Sequence, residues 1–169
     1  MTITTRATAL ATVSARNTID LGSSSASREL GLALDLANGV GAGQADLAFS
    51  DTRTLAASGT EDLDLAGALA DPFGVAQVFA RLKLLVISAA AGNTNNVLVS
   101  RPASNGVPIF SAAGDQVILK PGGFLMLAAG AADAVGWAVT AATGDLITVT
   151  NSGGTTGVTY SILAVGCSA

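Results

Sequence analysis

The stretch that decides the fold is RELGLALDLAN, residues 28–38. Four leucines recur there at every second position, with small or charged residues between them: Leu30, Leu32, Leu34 and Leu36. A helix would spread these leucines around its circumference, whereas a β-strand places all four on one face. The pattern therefore predicts a strand whose leucine side is buried.

The segment before this strand divides into two parts. Residues 22–27, GSSSAS, have the composition of a flexible turn or linker. Residues 1–21 are rich in Thr and only weakly patterned, which is typical of an arm or edge strand. We therefore expect residues 1–27 to form an N-terminal arm and linker, and residues 28–169 to form the folded domain. Because the arm has few large apolar residues, we expect contact with another chain to order it.

Short apolar runs separated by Gly, Asn and Pro continue to the end of the chain. Strands are predicted at 47–49, 63–65, 97–99, 108–110, 116–119, 124–127, 135–139, 146–149 and 158–162, and turns at NGVGAG (38–43), DPFG (71–74), KPGG (120–123) and NSGGTTG (151–157). About ten short strands with turns roughly every 8–12 residues are typical of an all-β sandwich. We predict a β-sandwich of jelly-roll type, with a β-barrel as the alternative. Trp137 is expected to lie in its core.

The segment VAQVFARLKLLVIS, residues 75–88, fits two templates. Six residues lie at helical spacing: Val75, Val78, Phe79, Leu82, Leu85 and Val86. Four alternate as on one face of a strand: Ala80, Leu82, Leu84 and Val86. Because the neighbouring segments are strands and Arg81 and Lys83 would share a strand face, a strand is favoured, with a helical turn left open at its start.

The composition indicates a surface that is poor in charge. Charged residues make up 12% of the chain, against about 25% in an average globular domain. Hydrophobic residues make up 50%, and the mean hydropathy is +0.56. Interfaces between subunits are similarly depleted of charge. We therefore expect self-association, as a homodimer or homotrimer.

Several classes of function are disfavoured by what the chain contains. The net charge is −4 and the eight basic residues are scattered, whereas nucleic-acid binding needs clustered Lys and Arg. The absence of histidine removes Ser-His-Asp and Cys-His mechanisms and most zinc sites. The apolar runs are shorter than the roughly 20 residues that cross a bilayer, and no secretion signal is recognised. One cysteine, Cys167, cannot form a disulfide within the chain, which suits a reducing cytoplasm.

The remaining polar residues are explained better by structure than by chemistry. Asp62 and Asp64 would share a strand face, where two carboxylates could share a proton or hold calcium, but a solvated face explains them as well. Asp residues beside Gly, Ala or Pro are typical of turns: Asp71, Asp133 and Asp145. Cys167 has no basic neighbour in sequence to activate it. We therefore predict a protein that is not an enzyme and that has no catalytic, metal or cofactor site.

Five segments together resemble the capsid decoration, or cement, proteins of tailed bacteriophages: NGVGAGQAD (38–46), DTRTLAASGTEDLDLAG (51–67), AAAGNTNNVLV (89–99), KPGGFLMLA (120–128) and VTAATGDLITVTNSGGTTGVTY (139–160). The resemblance covers about the last three quarters of the chain. It implies a β-sandwich protein made in the bacterial cytoplasm that binds the major capsid protein on the exterior of the virion. It implies no catalytic residues.

Two further expectations accompany this resemblance. Arg6 and Arg16 are the candidate contacts of the arm with the capsid or a sister subunit, because Arg pairs in a bidentate manner with carboxylates on an acidic surface. The alternative function is a head-fibre or tail-associated adhesin. In that case polar loops such as GNTNN (92–96) and SNG (104–106) would contact a host-surface glycan.

Overall fold

The computed structural model describes residues 2–67, 69–71 and 73–169. The described part of the chain is all-β, as predicted. Its strands are β1 (Thr5–Ile19), β2 (Gly22–Asn38), β3 (Gln44–Ala45), β4 (Leu47–Leu55), β5 (Thr60–Asp64), β6 (Leu69–Ala70), β7 (Ala76–Gln77), β8 (Arg81–Ala89), β9 (Val97–Ser100), β10 (Gln116–Leu119), β11 (Phe124–Ala128), β12 (Trp137–Ala138), β13 (Leu146–Asn151) and β14 (Val158–Cys167). Met1 of the predicted arm and Pro72 of the predicted DPFG turn lie outside the described residues.

Two antiparallel sheets face each other across the main core. The first has the strand order β10-β9-β13-β5, and the second has the order β11-β8-β14-β4, with β12 also paired to β8. Side chains of both sheets meet between them, including Leu63, Val99 and Ile147 from the first and Ile87 and Tyr160 from the second. This arrangement confirms the predicted β-sandwich. Its jelly-roll connectivity stays a prediction.

The two sheets are also joined at one edge by polar contacts. Tyr160 on β14 donates a 2.6 Å hydrogen bond to Oε1 of Glu61 on β5. Arg53 on β4 donates a 2.7 Å hydrogen bond to the other carboxylate oxygen of Glu61. Because Glu61 belongs to the first sheet and its two partners belong to the second, the carboxylate bridges the sandwich. Tyr160 is fully buried. Its pKa is raised mainly by this burial and, to a smaller extent, by its hydrogen bond to Glu61.

The N-terminal segment forms a long β-hairpin with the leucine strand. β1 and β2 pair without interruption from Thr5↔Leu36 to Ile19↔Gly22, and Asp20 and Leu21 form the turn. The prediction of a flexible linker over residues 22–27 is wrong, because these residues lie in β2. The arm is therefore ordered in part by pairing within its own chain, since every second backbone amide of β1 can bond to β2.

The base of this hairpin forms a third layer on the outer face of the second sheet. Leu34 and Leu36 are buried there in a small cluster with Leu84 and Val165. The prediction that all four leucines are buried is wrong. Leu30 and Leu32 lie beyond this cluster and are each 63% exposed.

A β-bulge in β8 turns Leu84 toward this small cluster beneath the hairpin. Val165 pairs with Leu84 and Gly166 pairs with Leu82, so Lys83 is an extra residue without a partner in β14. The bulge reverses the alternation, so that Leu82 faces the main core while Leu84 faces the hairpin. The prediction of a strand over this segment is confirmed, but the placement of Leu82 and Leu84 on one face is wrong.

Two other predictions differ from the structure. Residues 108–110 form a turn rather than a strand. Val107 and Ile109 are buried on either side of Pro108, and the amide of Val107 donates a hydrogen bond to the carbonyl oxygen of Leu146. Trp137 is half-buried rather than buried, and its strand extends over only Trp137–Ala138. It lies at the end of β8, where it pairs with Leu82, and so it closes the core from one side.

Candidate interaction surface

One face of the hairpin is apolar along most of its length. Directly paired residues of an antiparallel ladder point to the same side, so the register defines this face. Its paired residues are Ala7↔Leu34, Ala9↔Leu32, Ala11↔Leu30 and Val13↔Arg28, and we call this surface the leucine face. The opposite face carries mainly Thr and Ser, with Leu10 as its large apolar residue.

The leucine face is buried at the base of the hairpin and exposed beyond it. Leu34 is 6% exposed, whereas Leu30 and Val13 are 63% and 66% exposed. We call residues 11–19 and 22–30 the distal hairpin; their nine residue pairs extend about 30 Å at roughly 3.3 Å per residue. All residues of the distal hairpin are exposed. An isolated two-stranded ribbon of this kind is only marginally stable in water.

A groove separates the hairpin from the edge of the second sheet. It has a volume of about 370 Å³ and is walled by Leu32 and Leu34 on the hairpin and by Met126 on β11 and Ala131 beyond it. A second depression of about 420 Å³ adjoins Phe124, whose side chain is 68% exposed. The exposed apolar surface therefore continues from the hairpin onto the edge strand β11.

The two candidate arginines lie on the hairpin but not together. Arg6 points away from the leucine face and forms a 3.6 Å salt bridge with Asp35. Arg16 lies on the same side, ten residues farther along β1, which corresponds to about 33 Å. Both side chains are exposed. They could contact a partner at two separate points, and Arg6 would do so as part of an ion pair.

The aspartates singled out from the sequence support backbone turns and strands. Asp71 Oδ1 accepts hydrogen bonds of 2.9 Å from the amides of Phe73 and Val75. Asp145 Oδ2 accepts a hydrogen bond of 2.7 Å from the amide of Ala142. Hydrogen bonds from the amides of Val135 and Gly136 lower the pKa of Asp133. Asp62 accepts a hydrogen bond from the hydroxyl of Thr148 on the neighbouring strand. Among the described residues, no group of three or more His, Cys, Asp or Glu could hold a metal ion.

In the polar loops predicted to contact a glycan, asparagine side chains form hydrogen bonds to the protein's own backbone. The amide of Asn93 both donates to and accepts from the backbone of Thr159, with both distances 2.8 Å. Asn95 donates to the carbonyl of Thr156, and Asn105 accepts from the amide of Asp145. These side chains therefore hold loops of the sandwich in place.

The single cysteine is also a structural residue. Cys167 is fully buried at the end of β14, and its Sγ lies 3.5 Å from the carbonyl oxygen of Gln44. Burial raises the pKa of its thiol, which disfavours the reactive thiolate.

The pairing of β1 with the leucine strand was not predicted from the sequence. Its alternation was readable: Ala7, Ala9, Ala11, Val13 and Ala15 occupy every second position and are separated by Thr8, Leu10, Thr12 and Ser14. Because alanine is a weak hydrophobe, this pattern is much fainter than the four leucines opposite it.

Comparisons with protein-family models, with curated proteins and with solved structures find no match to this chain. Within the described ranges, no helix has the length and hydrophobicity needed to cross a membrane.

Proposed function

We propose that this protein is a structural virion protein that binds the outer surface of a bacteriophage capsid and stabilises it by bridging capsid subunits. The observation that carries the proposal is the exposed leucine face of the distal hairpin. A cement protein must bury apolar surface on neighbouring subunits, and a ribbon that reaches about 30 Å from its body can do so at a distance. The resemblance to decoration proteins supplies the capsid as the partner.

A bridging protein also needs a second contact surface. The turn between β6 and β7 carries two exposed apolar side chains, Phe73 at 78% and Val75 at 59%, and Val78 directly after β7 is 53% exposed. Asp71 holds the backbone of this turn through its two amide hydrogen bonds. We propose that the distal hairpin binds one capsid subunit and that this turn binds another.

The proposal can be tested by adding the purified protein to capsids that lack it and measuring co-sedimentation. The variant Leu30→Ser/Leu32→Ser makes the leucine face polar, and we expect it to bind at least about tenfold more weakly, since each fully buried Leu contributes roughly 1.5–3 kcal/mol. The matched control Ser25→Ala/Ser27→Ala lies on the same strand and opposite face, and it should bind normally. Because the contact is apolar, binding should depend little on salt.

Image reconstruction of the virion distinguishes the proposal from the adhesin alternative. A decoration protein is expected at positions that repeat with the capsid lattice. A few copies confined to the tail, or wild-type protein that does not bind capsids, would contradict the proposal.

A further inference from the structure

The outer edge of β1 is open for strand pairing. β1 pairs with β2 along one side, and the structure pairs no other described strand with it. Alternate backbone N–H and C=O groups along its other side therefore point outward. This edge is distinct from the leucine face, so an inference about it does not rest on the proposed function.

Between Arg6 and Arg16, the edge also lacks the features by which proteins normally protect a free strand. Such edges usually carry a charge, a proline or a bulge. The nine residues from Ala7 to Ala15 contain no charged residue and no proline, and the fifteen-pair register with β2 contains no bulge. β2 differs, because its own outer edge is interrupted by Arg28, Glu29 and Asp35. The unprotected edge of β1 is therefore the side at which another strand can add.

From these observations we propose that β1 pairs antiparallel with β1 of a second copy of this chain, which joins two hairpins into a four-stranded sheet. Charge limits where two copies can meet. The hairpin, residues 2–38, has three basic and three acidic residues, whereas residues 39–169 have five basic and nine acidic residues. Two copies therefore repel through their acidic bodies and can approach through their neutral hairpins.

The positions of the two arginines exclude one of the central registers. A two-fold axis at Leu10 places Leu10 opposite Leu10 of the second copy and Thr8 opposite Thr12, and it keeps the leucine faces of both hairpins on one side of the sheet. An axis at Ala11 would instead set Arg6 opposite Arg16 of the second copy, and like charges directly opposite each other are destabilising. The Leu10 register pairs residues 5–15 of both copies, over about 36 Å.

This pairing also covers Leu10. Its side chain is 66% exposed in the single chain and lies over Gly31, which has no side chain to shield it. Across the two-fold axis, the Cβ atoms of the two Leu10 residues would lie about 4.5–5.5 Å apart. The two-fold geometry is self-complementary, as is usual for soluble homodimers.

The first test measures the oligomeric state by sedimentation. Wild-type protein should be a dimer. Leu10→Lys places two like charges opposite each other, and its dissociation constant should rise at least about tenfold. Ser27→Lys adds the same charge to the same side of the hairpin but on β2, and it should remain dimeric. Circular dichroism of both variants should match the wild type, because both positions are exposed in the single chain.

A cross-linking test reports the register directly. In a Cys167→Ser background, Leu10→Cys should form a disulfide-linked dimer on mild oxidation, because the two positions are opposite each other. Thr12→Cys should not form this disulfide. Residue 12 of each copy would lie opposite residue 8 of the other, so the two cysteines would be four residues apart along the strands. A monomeric wild type, a dimer that Leu10→Lys leaves intact, or faster linkage at position 12 than at position 10 would overturn the proposal. So would a wild type that is monomeric alone but loses capsid binding on Leu10→Lys, which would assign the edge to a capsid strand.

Discussion

Leu34 and Leu32 are two residues apart on the same face of one strand, yet Leu34 is 6% exposed and Leu32 is 63% exposed. The difference arises from what lies beneath them. Leu34 packs in the cluster that contains Leu84 and Val165, whereas Leu32 borders the open groove beside β11. Burial of the leucine face therefore ends between these two leucines, just before the distal hairpin begins.

This boundary predicts unequal effects of two similar substitutions. Leu34→Ala should lower the free energy of unfolding by about 2–5 kcal/mol, because it removes buried methyl groups and leaves a cavity. Leu30→Ala should lower it by less than about 1 kcal/mol, since Leu30 is already exposed. Chemical denaturation of both variants measures the difference. Equal losses would mean that the distal hairpin packs on the body.

Shortening the hairpin should leave the sandwich stable. Ala11 and Leu30 are directly paired, so replacing residues 12–29 with Asn-Gly joins them by a two-residue turn. Leu34 and Leu36 keep their contacts, so the free energy of unfolding should differ by less than about 1 kcal/mol from that of the full-length variant Leu10→Lys, which also lacks the pairing between two copies. Deleting residues 1–21 would be a poorer test, because it removes β1 and exposes the cluster beneath it. A loss of several kcal/mol in the shortened variant would contradict the assignment of the anchor to Leu34 and Leu36.

Gly166 should be essential to the bulge that directs Leu84 toward the hairpin. A Cβ at this position would collide with the backbone oxygen of Arg81 and the ring of Phe79. Gly166→Ala should therefore cost about 3 kcal/mol or more in thermal or chemical unfolding. Gly92→Ala is the matched control, because a Cβ there meets nothing within 4 Å. Tolerance of alanine at both positions would show that the strands separate easily at the bulge.

Ionisation of the single tyrosine, Tyr160, tests the contact between the two sheets. Burial, and then the hydrogen bond to Glu61, raise the pKa of Tyr160 above its ordinary value of 10.0. An unfolded chain ionises its tyrosine near that value, whereas the folded chain does not, so the stabilisation is complete below about pH 10 and is lost as the pH rises further. We expect tyrosinate absorbance to appear together with the loss of circular dichroism. Ionisation near pH 10 in a chain that remains folded would contradict the burial of Tyr160.

Cys167 should be unreactive in the folded protein. Its thiol is buried, and burial raises its pKa. Labelling by a thiol-specific disulfide reagent should be slow in native buffer and rapid in denaturant, where the same side chain is free. Rapid labelling of the native protein would indicate that the end of β14 opens readily.

Some of this architecture was predictable because it depends on local backbone geometry. Alternation over Leu30, Leu32, Leu34 and Leu36 indicates a strand with a shared leucine face, since side chains of a strand point to opposite sides in turn. Short apolar runs between turns likewise predicted the sandwich. Asp71, Asp133 and Asp145 were recognised as turn residues, because their hydrogen bonds are made within four residues along the chain.

The interaction surface was decided by tertiary structure. The four leucines are equivalent along the strand, and only the position of Leu84 and Val165 beneath the hairpin divides them into a buried and an exposed pair. Leu84 reaches that position because of the bulge at Lys83. The alternating apolar pattern of residues 80–86 gave no indication of this bulge. The free edge of β1 likewise depends on which strands pair. Pairing and burial are relations between residues distant in sequence, so the local pattern determined the strands and the tertiary structure determined which of their surfaces remain open.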